Sequence, residues 1–140
     1  RYEMKLEMDG FTLDGRCLMV AIANTRSFGG GMQIAPNAGA FTGKAEVVVI
    51  RDSSALTLLR MLPKTFSGSH VDHPSVEIMS GQHFRLYLNE ADSSEPCRMR
   101  SDGEDVGSLP QTVTVVAGGL QIAGVSRRPS ANCEARDANE

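Results

Sequence analysis

The chain has little of what would name a partner by composition alone. Its 140 residues carry a net charge of only −3 at neutral pH. Without a basic excess to neutralise phosphates, the field argues against a nucleic-acid partner. Three cysteines, Cys17, Cys97 and Cys133, are odd in number and far apart. They make neither a zinc pattern nor a disulfide framework and read as reduced thiols of a cytosolic protein. No apolar stretch reaches the roughly 20 residues of a spanning helix, and RYEMKLE at the start is charged where a secretory signal is apolar. The expectation is a cytoplasmic protein. A start without methionine and already in strand pattern further suggests a domain cut from something longer.

What is present is enough apolar mass, 41% of residues, for one core without staples. Tyr2, Met4, Leu6 and Met8 alternate with charged neighbours, the period of a half-buried strand. Asp9-Gly10 predicts a turn, Phe11 and Leu13 continue the alternation, and Asp14-Gly15 punctuates again. The run Cys17 to Ala23 then predicts a strand buried on both faces, and Val47 to Ile50 another, across a loop rich in Gly, Pro and Asn. From Ser53 to Leu62 the period becomes helical, with Ala55, Leu58, Leu59 and Leu62 on one face, serines as caps, and Pro63 as the stop. Strand period returns at Phe84, Leu86 and Leu88, at Cys97 and Met99, and at Val113 and Val115, with a last apolar pair at Leu120 and Ile122. The predicted fold is mainly β, mostly antiparallel, with one short helix. Residues 1–125 form the domain and 126–140 a polar tail.

Three stretches could carry chemistry. In SFGGGMQIAP, residues 27–36, three glycines follow an apolar run, as in phosphate loops. The Lys-Ser/Thr pair and helix that a Walker-type loop needs are missing, as is the glycine spacing of a dinucleotide fingerprint. The plain reading is a tight turn or bulge bringing backbone close to a neighbour. Ser101 to Asp105, SDGED, reads either as a hairpin tip or as a pair of carboxylates, Asp102 and Glu104, flanking a glycine and placed for acid/base work. His70 and His73, near Asp72 and His83, match no metal spacing and read as a polar turn. Arg98, Arg100 and the pair Arg127-Arg128 read as solvated charge, with a phosphate or anionic headgroup as the other option.

In order, Asn24, Gly29-Gly30-Gly31, Pro36-Asn37-Ala38, Gly68-Ser69-His70, His73-Pro74 and Asp102-Gly103-Glu104 resemble the C-terminal domain of the diacylglycerol kinase-like lipid kinases. That group includes bacterial diacylglycerol kinases and the sphingosine and ceramide kinases. The resemblance runs over residues 1–125. It implies a β-sandwich-like domain forming the lipid-side wall of a two-domain, ATP-dependent kinase, with diacylglycerol as the first choice of lipid hydroxyl and a sphingoid base or a polyprenol as alternatives. It implies catalytic residues at Glu104, as proton acceptor, and Asp102 beside it. ATP and Mg2+ would be bound mainly by an N-terminal nucleotide-binding domain absent from this chain. That domain, the lipid substrate and a transient, peripheral contact with the membrane surface are the implied partners, and the isolated chain is expected to be inactive. One departure stands out: family members carry Asp-Gly-Leu-Leu where this chain has Thr42-Gly43-Lys44-Ala45, so the structural magnesium site of bacterial members is expected to be lost. The rival expectation is a non-catalytic β-sandwich binding module, for which Asp102 and Glu104 are only a hairpin tip.

Overall fold

In the computed structural model, residues 2–88 and 97–121 are described. Strands β1 (Tyr2–Met8), β2 (Phe11–Ala23), β3 (Ala45–Arg51), β4 (Val76–Gly81), β5 (His83–Leu88) and β8 (Gln111–Thr114) form one sheet in the order β4-β3-β2-β1-β5-β8. Every neighbouring pair is antiparallel. Strands β6 (Arg98–Ser101) and β7 (Glu104–Ser108) make a separate hairpin. The helical part is a short helix bent at Pro63, α1 (Ala55–Met61) then α2 (Lys64–Ser67), followed by a 3-10 turn over Ser69–Asp72. Mainly antiparallel β with one short helix is therefore the observed class.

Strand β3 explains how the core is split. Its period of two sends Ala45, Val47 and Val49 to one face, where they meet Leu6 of β1 and Phe84 and Leu86 of β5. Val48 and Ile50 go to the other, where Ile34, Ala35 and Ala38 of the glycine-rich loop and Met61 of α1 cover them. Burying each valine contributes about 2 kcal/mol. Two-faced burial thus belongs to β3, and the expectation of it for Cys17 to Ala23 is corrected. Register against β3 shifts between Cys17 and Met19, leaving Leu18 as the extra residue of a bulge and exposed, and Met19 to Ala23 are only half-buried.

Two other expectations change. Asp14-Gly15 is no turn: both residues pair with β1, opposite Lys5 and Met4, and β2 runs straight through them. In α1 the Ser54 side chain does cap the helix, accepting from Thr57 N at 3.2 Å. The face that packs inward, however, is Leu58 with buried Met61, while Ala55, Leu59 and Leu62 are exposed. Apolar residues occupy most positions around this helix, so periodicity alone could not choose its inner face. Strands β4 and β7, without clean alternation, gave no sequence signal. Leu120 is exposed and outside any strand; Ile122, Arg127, Arg128, Cys133 and the tail lie outside the described residues.

Candidate functional site

The carboxylate cluster sits at the tip of the β6–β7 hairpin. Ser101 pairs with Glu104, and the two residues between them, Asp102 at φ 50 and Gly103 at φ 93, are both left-handed. This is the turn whose twist matches a hairpin, and Asp-Gly is its favoured sequence. Asp102 and Glu104 therefore flank the turn glycine, and both are exposed, their oxygens open to a donor or a proton from solvent or a ligand. Asp105 is different. Its Oδ1 accepts from Gly107 N at 2.9 Å and its Oδ2 lies 2.6 Å from Arg98 Nε. The Gly107 N–H first, and the Arg98 guanidinium with it, hold this carboxyl below its ordinary range. Of the three acidic residues, one is committed to shaping the hairpin and two are left for other work. Register sets Arg100 opposite Asp105 and Arg98 opposite Ser108, with a shift between Met99 and Arg100. The Arg98–Asp105 pair therefore runs diagonally across the hairpin, and the reading of Arg98 as solvated charge missed it.

The second stretch, the triple glycine, forms a tight turn: Phe28 bridges Met32, with Phe28 N donating to Met32 O at 3.0 Å. Gly29, Gly30 and Gly31 have φ of 57, 78 and 93. A Cβ on Gly30 or Gly31 would meet nothing within 4 Å, so these glycines are needed for backbone conformation rather than for close approach. The loop that follows is locked to the helical segment. Gln33 N donates to Thr65 O at 2.8 Å, His70 Nε2 lies 3.1 Å from Ile34 O, and Pro36 Cβ would be 3.1 Å from a Cβ on Gly68. His70 is fully buried. A carbonyl can only accept, so Nε2 carries the proton and Nδ1, which has no partner, keeps a bare lone pair.

Glu46, missed by sequence reading, is buried at the start of β3. Burial pushes its carboxyl up, against the Asn37 amide and the backbone N–H groups of Asn37 and Ala38, which pull it back; Oε2 has no partner. The Pro36-Asn37-Ala38 and Gly68-Ser69-His70 motifs are thus two sides of one joint that seats the loop over Val48 and Ile50.

Among the described residues, the remaining candidates do not gather into a centre. His73 Nδ1 accepts from Ser75 N at 3.1 Å, and His83 is exposed on β5. Thr42 Oγ1 lies 2.9 Å from the carbonyls of both Gly39 and Lys44 and accepts from Lys44 N at 3.2 Å. A neutral hydroxyl closed on its own loop beside an exposed ammonium does not fit magnesium, which wants anionic oxygens. The two described cysteines, Cys17 and Cys97, are free, and burial raises the pKa of both thiols, leaving little thiolate and so poor nucleophiles. A groove of about 490 Å³ beside the β1–β2 turn, lined by Glu7, Asp9, Thr12, His83 and Arg85 among others, includes neither Asp102 nor Glu104. No helix among the described residues is long and apolar enough to cross a membrane.

With this geometry in place, comparison with known proteins is specific. The family model described as the YegS C-terminal NAD kinase beta sandwich-like domain matches residues 1–124. The diacylglycerol kinase of Mycobacterium tuberculosis (strain ATCC 25618 / H37Rv) is 29% identical over 99 residues, which are 71% of this chain and 30% of that protein. The diacylglycerol kinase of Bacillus subtilis (strain 168) is 21% identical over 108 residues, 77% of this chain and 34% of that one. A crystal structure of a diacylglycerol kinase from Bacillus anthracis str. Sterne matches at a TM-score of 0.63 and 16% identity, over 81% of this chain and 37% of that chain. At that identity the likeness is one of fold. The chain spans about a third of the length of the relatives it matches.

Proposed function

The chain belongs to the family of the YegS C-terminal NAD kinase beta sandwich-like domain, and from that premise we propose that it is the lipid-side domain of an ATP-dependent lipid kinase, with diacylglycerol as substrate. The observation that carries the reading is the family match over residues 1–124 together with a hairpin tip on which Asp102 and Glu104 stand exposed at either side of Gly103. The names of the relatives from Mycobacterium tuberculosis and Bacillus subtilis support the choice of diacylglycerol.

In this proposal Glu104 accepts the proton of the lipid hydroxyl as that oxygen bonds to the transferred phosphorus, and the nucleoside diphosphate leaves with the electrons of the broken P–O bond. Asp102, one residue before the turn glycine, helps orient the hydroxyl. Magnesium, held with ATP by a nucleotide-binding domain outside this chain, supplies the neutralisation of phosphate charge. Positioning and charge neutralisation dominate phosphoryl transfer, so the 140 residues alone give no turnover. The work is done at the cytoplasmic face of a membrane, where the lipid is.

The test is Glu104→Ala in the intact protein carrying this chain, assayed with ATP, magnesium and diacylglycerol in detergent micelles. Turnover falls about 100-fold or more with melting temperature and ATP affinity unchanged. A silent Glu104→Ala, or an intact protein without lipid kinase activity, sinks the proposal and leaves a non-catalytic binding module.

A further inference from the structure

The bent helix is apolar on more sides than the core needs. Leu58 and Met61 already fill the inner face, yet Leu56, Leu59 and Leu62 point outward at 55%, 66% and 53% exposure, and Phe66 on α2 adds another at 56%. Leu56, Leu59 and Leu62 recur every third residue, so they run along one outer flank of α1 and onto the bend at Pro63. A helix hydrophobic all round is normally covered by something, and a contiguous apolar surface of this kind marks an interaction site.

The charge around this ridge says what covers it. Arg60 and Lys64 lie among these residues, both exposed, and among the described residues neither is ion-paired with a carboxylate. Between Asp52 and Asp72 there is no acidic residue at all, in a chain with 17 Asp and Glu against 14 Lys and Arg. Large apolar side chains interleaved with unpaired cations, on a segment cleared of negative charge, suit the boundary between anionic headgroups and acyl chains. A second copy of the chain is a poorer occupant, because a two-fold interface sets like patches against each other and would bring the cations of both copies together.

We propose that the outer flank of α1 and α2, through Leu56, Leu59, Leu62 and Phe66 with Arg60 and Lys64, docks the protein on an anionic membrane surface. The choice of a membrane as occupant rests on the lipid-side reading above, but docking itself needs no turnover. The apolar residues enter the interface and the two cations meet lipid phosphates, which holds the domain where a membrane-embedded hydroxyl can be reached.

The test is flotation of the intact protein, without ATP, on vesicles of phosphatidylglycerol and phosphatidylcholine or of phosphatidylcholine alone. Binding is expected on the anionic vesicles only and weakens with salt. Leu59→Glu lowers vesicle affinity by about 10-fold or more, Arg60→Gln and Lys64→Gln by about five-fold each, and Val116→Glu, an exposed site off the helix, has no effect. Melting temperatures confirm that the variants fold. No flotation, equal flotation of Leu59→Glu, or a dimer lost in Leu59→Glu without any vesicle binding each overturns the proposal. Glu104→Ala floats normally whatever its turnover. A protein that floats but shows no kinase activity in micelles therefore supports docking and sinks only the kinase reading.

Discussion

The side chain of Arg51 lies across the backbone of Gly15. Its Nη1 donates to the Asp14 carbonyl at 2.8 Å, its Nε pairs with Glu77 at 2.6 Å, and a Cβ on Gly15 would come within 2.9 Å of Nη1. Gly15 itself has φ 124, where side chains are strained. Gly15→Ala is therefore expected to destabilise by about 1–3 kcal/mol, read as a lower urea midpoint at unchanged slope. Arg51→Ala added to Gly15→Ala recovers the clash but not the backbone strain, so the double variant loses less than the sum of the singles. Strict additivity would show that Arg51 and Gly15 are not coupled.

That relationship also marks the limit of what the sequence reveals. Met4, Leu6 and Met8 show their strand because alternation is local, and Val47 to Ile50 show theirs because a run of β-branched residues fits burial on both faces. Asp14-Gly15 reads as a turn because the pair usually is one; it is not, because the ladder with β1 runs unbroken through Lys5 and Met4, with Arg51 of another strand bonded to the Asp14 carbonyl. Leu18 looks like core until register with β3 places it at a bulge. The Asp102-Gly103 turn was legible because Asp-Gly specifies its own geometry. The separation of Asp105 from its acidic neighbours, and the burial of Glu46 under Asn37 and Ala38, depend on partners that only folding brings close.

His70 bolts the loop to the helical segment. It is fully buried, and Nε2–H to Ile34 O, at 3.1 Å, is the one polar contact of its ring among the described residues, Nδ1 having no partner there. His70→Ala loses that bond, leaves the Ile34 carbonyl unpaired and opens a cavity, an expected cost of about 2–4 kcal/mol. Amide exchange should then speed up first at Gln33 and Ala35, whose N–H groups bond to Thr65 and Arg26. Uniform exchange across the sheet and loop would argue that His70 is ordinary core.

Glu46 makes stability depend on pH in an unusual direction. Burial raises its carboxyl pKa, so the folded protein favours the protonated form. Its contribution is fully present below the unfolded pKa and is lost as pH rises through the raised folded value. Glu46→Gln keeps an oxygen for Asn37 and Ala38 and removes the charge. The variant should gain melting temperature relative to the parent as pH goes from 4 to 7. Parallel melting curves over that range would mean that the Asn37 and Ala38 donors fully offset burial.

The hairpin offers the sharpest separation of structure from chemistry, because its acidic residues are held so differently. Asp105 accepts from Gly107 N and pairs with Arg98, which lowers its pKa. Its contribution to hairpin order is therefore present above the unfolded value and lost as pH falls through the folded one. Asp105→Asn should loosen β6 and β7, seen as faster amide exchange at Gly107, and should lower kinase turnover only modestly, by displacing the tip. Asp102→Asn keeps a residue that tolerates φ 50, so the turn survives and any loss of turnover reports lost charge beside Glu104. Glu104→Gln leaves the Ser101 pairing and amide exchange untouched while removing the proton acceptor. The expected order of damage to turnover is Glu104→Gln first, Asp102→Asn second and Asp105→Asn last, with the reverse emphasis in exchange rates. Were Asp105→Asn to damage turnover as much as Glu104→Gln, the tip would be acting through its shape, and Glu104 would lose its claim to the proton.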